Sequence, residues 1–164
     1  MKKWVIGGAV VFGIWVLAST IAARGLAQRD AHIGSPLLLE GAVVPENIAK
    51  IMDRACRDCH SNQTSWPWYA GLPPASTLIA GDVEKGRKFL NLSHWSQYTI
   101  PQRMGYLASM STSTRQDRMP PPMYRWIHWP ATLTDQDRSE IKDWAKLESK
   151  RLMAELRASR KRQP

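Results

Sequence analysis

The 164-residue chain is nearly without cysteine: it has two, Cys56 and Cys59. A disulfide-stapled scaffold is thereby excluded, because such frameworks rest on several pairs. No second close-spaced pair exists to complete a tetrahedral zinc site, which needs four ligands. No segment shows the strict apolar–polar alternation of a half-buried strand, and no stretch repeats. The middle of the chain also lacks an excess of charge. The formal net charge is +9, but residues 1–27 hold Lys2, Lys3 and Arg24, and residues 146–164 hold seven basic and two acidic side chains. The two ends carry eight of these nine charges, which leaves +1 for residues 28–145. A nucleic-acid binder carries its basic residues on a motif-bearing face. Here they lie at the ends, so no nucleic-acid partner is expected. A basic tail beside an anionic membrane surface fits better.

What the chain does have begins at its start. Residues 4–23 contain no charged side chain. Twenty helical residues at about 1.5 Å each span about 30 Å, a bilayer core. A secretory signal has a shorter apolar centre of roughly 7–15 residues. An uncleaved anchor is the first reading, and a cleaved signal with Gly25-Leu26-Ala27 as the small-x-small site is the second. Residues 28–44 read as a linker around Gly34, Ser35 and Pro36.

From Pro45 a helix is expected, with Ile48, Ile51, Met52, Ala55, Cys56 and Cys59 on one face. Residues 61–76 read as a proline-bearing loop, residues 78–90 as a helix, and residues 91–97 as polar. Pro101 opens another helix. Arg118 and Pro120–Pro122 read as irregular, since consecutive prolines remove backbone donors. Thr134, Asp135 and Asp137 mark the start of a last helix that runs into a basic C-terminal segment, residues 146–164. The expected fold class is all-α.

The run CRDCHSNQTSWPWY, residues 56–69, raises three chemistries. A redox dithiol belongs at a helix N-terminus in a strand–helix context, and here the thiols close a helix. Zinc lacks its fourth ligand. The spacing C-x-x-C-H is the signature of c-type haem attachment. Two thiols one helical turn apart match the two vinyl groups of the porphyrin, and His60 follows directly as the proximal iron ligand. One covalent haem c is the expected cofactor. Attachment takes place outside the cytoplasm, which an export segment serves. The domain is therefore expected on the periplasmic side of the inner membrane, with the N-terminus inside.

Electron-transfer cytochromes c hold haem iron with His and Met. Met104, Met110, Met119, Met123, His94 and His128 are candidates for the distal position. Met119 is preferred because Pro120–Pro122 stiffen the chain behind it. His128 and Met123 are the alternatives.

The order of CRDCHSNQTSWPWY, Pro74-Ala75-Ser76, Asp82 to Arg87, Leu90 to Trp95, MPPPMY at 119–124, His128, Ala131-Thr132-Leu133 and Trp144 resembles the bacterial haem-binding domain family. The resemblance covers residues 45–145. It implies a cytochrome c-like, all-helical domain with covalent haem, which here would stand behind the transmembrane helix read from residues 4–23, and it implies no defined reaction. By analogy with cytochromes c, the carbonyls of residues 72–74 are expected to accept from the His60 ring. Arg87, through its guanidinium fork, and Trp66 and Trp68 are expected in the haem environment. An electron carrier with an unnamed protein redox partner is the first functional reading, and no catalytic residue is assigned. A haem-bearing accessory subunit of a membrane complex, or a sensor or peroxidase with an open distal site, stands as the alternative. For the latter, His94 and His128 are the only possible distal bases.

Overall fold

The computed structural model describes residues 2–33 and 38–162, with the backbone alone for residues 2–3 and 27–33. Seven α-helices follow in order: α1 (Lys2–Ile33), α2 (Glu46–Ala55), α3 (Arg57–His60), α4 (Ala75–Phe89), α5 (Ile100–Arg115), α6 (Pro122–Ile127) and α7 (Asp135–Lys161). Three 3-10 turns, Trp68–Gly71, Leu92–Gln97 and Trp129–Ala131, complete the regular structure among the described residues. Among the described residues there is no strand, and the fold class is all-α, as expected.

Helix starts follow local chemistry. Thr99 caps α5 with a reciprocal bond to Gln102, and Thr134 caps α7 in the same way with Asp137. Each box satisfies two amide donors that a bare helix end would leave open. Pro122 opens α6, although the proline run reads as wholly irregular in sequence. At the first helical position a proline gives up no hydrogen bond.

Within α1, the stretch Trp4–Leu26 is long and apolar enough to cross a membrane. A secretory signal passes the same test. The expected linker is largely ordered. Residues 28–33 continue α1, and residues 34–37, with Gly34, Ser35 and Pro36, lie outside the described residues. Residues 38–44 pack on the domain. Leu39 is buried and its amide donates to the Leu92 carbonyl at 3.0 Å. The Trp144 indole donates to the Val43 carbonyl at 2.8 Å.

The core forms where α5 crosses α7 and α2 closes the end. Ile48, Met52, Leu107, Ile141 and Leu152 are almost fully buried there. Burial of one such side chain contributes about 1.5–3 kcal/mol. Within the basic C-terminal segment, Leu152, which continues the apolar stripe of the last helix, is buried, and so is Glu148. The change at residue 146 is therefore one of composition, within a helix that continues unbroken.

Candidate functional site

The two cysteines flank a kink. Cys56 (φ −125°, ψ −35°) ends α2 and precedes α3. The hydrogen bonds persist across it: the Cys56 amide donates to Met52 and the His60 amide to Cys56, each at 3.0 Å. One helical turn thus separates the thiols, and His60 closes it. α4 lies directly on this turn. A Cβ on Gly86 would overlap the Cys59 carbonyl, so only glycine permits the approach.

The ring of His60 is fixed by the end of α4. Its Nδ1 lies 3.0 Å from the Leu90 carbonyl. A carbonyl can only accept, so Nδ1 carries the proton and, in the neutral ring, Nε2 keeps its lone pair. The acceptor is therefore Leu90, and not the residue 72–74 carbonyls expected from sequence. The reason is tertiary: α4 returns across α3 at Gly86, and the residue just past its end, Leu90, brings its carbonyl to the ring. A polar network anchors that strut. Asn91 donates to Asn62 at 2.8 Å, and the Asn62 amide donates to Ser93 at 3.1 Å. Burial lowers the His60 pKa, and the Leu90 carbonyl partly opposes this.

Cys56, Cys59 and His60 line a cavity of about 340 Å³. Phe89 of α4 and Leu90, which follows it, form one wall, and Met110 and Ser113 of α5 another. Met119, Pro120 and Tyr124 complete the lining. The size falls within the range of about 300–1,000 Å³ usual for cofactor pockets. Burial pushes the Cys56 thiol up to about 12, with Cys59 adding to it, and burial pushes Cys59 up to about 11. Such thiols are protonated at neutral pH and do not serve as redox nucleophiles. Among the described residues, no group of three or more His, Cys, Asp or Glu side chains is arranged to hold a bare metal ion.

The Met119 loop is clamped at its base. Asp117 accepts a bidentate pair from Arg125 at 2.8 and 3.1 Å and a further bond from Arg138 at 2.5 Å. These guanidiniums lower the Asp117 pKa. The clamp joins α5, α6 and α7 around residues 117–121.

Other residues singled out from sequence lie elsewhere. His128 does not line the cavity: its Nδ1 donates to the Tyr124 carbonyl at 3.2 Å, and its Nε2 lies 3.5 Å from the Tyr69 hydroxyl. Met123 is 62% exposed on α6. His94 engages Asn62 at 3.3 Å. Met104 packs against the hydrophobic core. Arg87 donates to the Ser61 carbonyl at 2.7 Å and the Thr64 hydroxyl at 2.8 Å, and so fastens the loop after the motif. Neither Arg87, Trp66 nor Trp68 is among the cavity-lining residues.

Sequence reasoning missed Tyr124, whose hydroxyl donates to Asp58 at 2.8 Å. Burial and then this bond raise the Tyr124 pKa. Its ring stacks on His128 at 4.2 Å. Leu90, Gly86 and Tyr124 all fall within the runs that carry the family resemblance, which was the one signal for them.

A model of the haem-binding domain family matches residues 25–147. The chain belongs to the haem-binding domain family. Among curated proteins, this haem-binding domain is 26% identical over 112 residues to the cytochrome c peroxidase Ccp of Escherichia coli (strain K12). That match covers 65% of this chain and 24% of the peroxidase, so the chain spans about a quarter of its relative's length. No solved structure matches. The cavity fits haem: it is apolar, it presents two neutral thiols one turn apart, and it holds an imidazole with Nδ1 engaged and Nε2 left unprotonated.

Proposed function

We propose that this haem-binding domain is a membrane-anchored, periplasmic c-type cytochrome that passes single electrons to a protein partner. The convergence of Cys56, Cys59, His60 and Met119 on one apolar cavity carries the proposal. When bound, haem supplies one-electron chemistry at its iron. In this reading the two thiols hold the haem by thioether bonds. His60, which the Leu90 carbonyl orients, and Met119, on the loop that the Asp117 clamp holds, would be the residues to bind the iron, and the carbonyl would raise the basicity of His60. The apolar walls of α4 and α5 keep water from the ring, and α1 anchors the domain.

The test is direct. After denaturation in acid–acetone and electrophoresis, haem stain should remain with the polypeptide, and Cys56→Ala or Cys59→Ala should abolish or weaken it. The reduced-minus-oxidised visible spectrum should be that of low-spin haem c. Free haem after denaturation would overturn the proposal. The peroxidase relative favours a second reading, a haem that reacts with hydrogen peroxide. Peroxide-dependent oxidation of a reduced donor by the purified protein would select it, and inert behaviour would leave the carrier.

A further inference from the structure

Helix α6 carries its apolar face outward. Met123, Trp126 and Ile127 recur at the i, i+3, i+4 spacing of one helical face, and all three are exposed. Trp126 is 82% exposed, and Trp129, just beyond, 78%. The opposite side of α6 holds Tyr124 and Arg125, which make the contacts to Asp58 and Asp117. The helix is thus amphipathic with its polarity inverted for a soluble domain. The bond between Tyr69 and His128 sets this corner beside the turn Trp68–Gly71, where Trp68 is exposed as well.

That turn is joined to α1. Ser19 donates to the Trp68 carbonyl at 2.9 Å. Gly71 lies so close to the Ser19 carbonyl that a Cβ there would overlap it. Ser19 precedes the end of the uncharged run at Ala23 by four residues, about 6 Å of helix rise. Amphipathic faces that lie on a bilayer sink about 5–10 Å past the headgroup boundary. The turn therefore meets α1 at interfacial depth, the level at which tryptophan collects.

We propose that Trp68, Met123, Trp126, Ile127 and Trp129 form a docking face for the outer surface of the bilayer that α1 crosses. The inference rests on the membrane-anchored reading of α1 given above. The domain then lies against the membrane on this corner. Its electron partner is met at membrane level.

The test uses the full-length, haem-loaded protein in vesicles of phosphatidylethanolamine and phosphatidylglycerol. A phospholipid with a photoreactive diazirine just below the headgroup is included. After irradiation, lipid adducts are mapped by mass spectrometry. Adducts are expected on residues 66–71 and 122–130, with none at the exposed Leu147 of α7. Replacing both tryptophans (Trp126→Ser with Trp129→Ser) should cut adducts at 122–130 severalfold while those on α1 persist and the haem spectrum is unchanged. Labelled α1 with unlabelled 122–130 overturns the docking face and leaves the anchor standing. Unlabelled α1 overturns the anchor, and the inference with it. Cross-links joining 122–130 of two copies, without lipid adducts there, would assign the face to self-association and also overturn it.

Discussion

His60 and Leu90 stand thirty positions apart, and a 3.0 Å hydrogen bond joins the ring of one to the main-chain carbonyl of the other. The bond exists because α4 touches the backbone of Cys59 at Gly86. The orientation of the His60 ring thus depends on a glycine with no donor or acceptor in its side chain.

Gly86→Ala should push α4 off the motif. Overpacking of this kind costs about 1–3 kcal/mol. Chemical denaturation should report that loss, together with a lower haem content per chain. Gly81→Ala, in the same helix with open space around it, should instead be neutral or stabilise by up to about 1 kcal/mol.

Met119→Ala should erase the weak far-red charge-transfer band of Met-ligated ferric haem, lower the reduction potential and open the iron to carbon monoxide. Met123→Ala should change none of these, because its side chain is outside the cavity. Loss of the band on changing Met123 or His128 alone would reverse the ligand assignment, and rapid carbon monoxide binding by the unmodified ferrous protein would point to an open distal site.

Asp117→Asn should loosen the Met119 loop without releasing haem, since the clamp to Arg125 and Arg138 depends on a carboxylate. The expected readout is faster carbon monoxide binding at unchanged haem content. An unchanged rate would mean that the loop is held by its prolines alone.

Acid should weaken the fold partly through Asp137. It pairs with Arg54 of α2 at 2.7 Å and caps α7. Burial acts to raise its pKa, but Arg54 and Thr134 outweigh it and the pKa is lowered. A depressed carboxyl stabilises the fold above its unfolded pKa of about 3.9 and loses that contribution as pH falls through the lower folded value. Denaturation across pH should show this slope, and Asp137→Asn should flatten it.

That Cys56, Cys59 and His60 act together was legible because they are contiguous: one helical turn carries all three to the same cavity. Met119 stood out by its neighbours, since three prolines stiffen the chain after it. The Leu90 carbonyl was not legible. Every residue has a carbonyl, and only the return of α4 selects this one. The partners of Arg87 were not legible for a related reason: its fork suits a propionate, and equally the Ser61 carbonyl and Thr64 hydroxyl that the fold places within reach. The tryptophans near residue 66 read as haem packing because burial is the usual fate of large aromatics, yet Trp68 is exposed beside α1.

The two ends of the domain close on each other. Val43 and Trp144, joined by a hydrogen bond, are 101 positions apart, and Gly41 meets Arg151 at a separation of 110. Contacts of such range form late, after the entropy of closing a long loop has been lost. On the proposed reading, a chain emerging N-terminus first reaches the far side of the membrane with Cys56 and Cys59 well ahead of α7. Until that last helix arrives, α5, which supplies Met110 and Ser113 to the cavity beside the thiols, lacks the helix it packs against. On the proposed reading, the timing of synthesis itself gives the attachment reaction its window, and the C-terminal helix ends it.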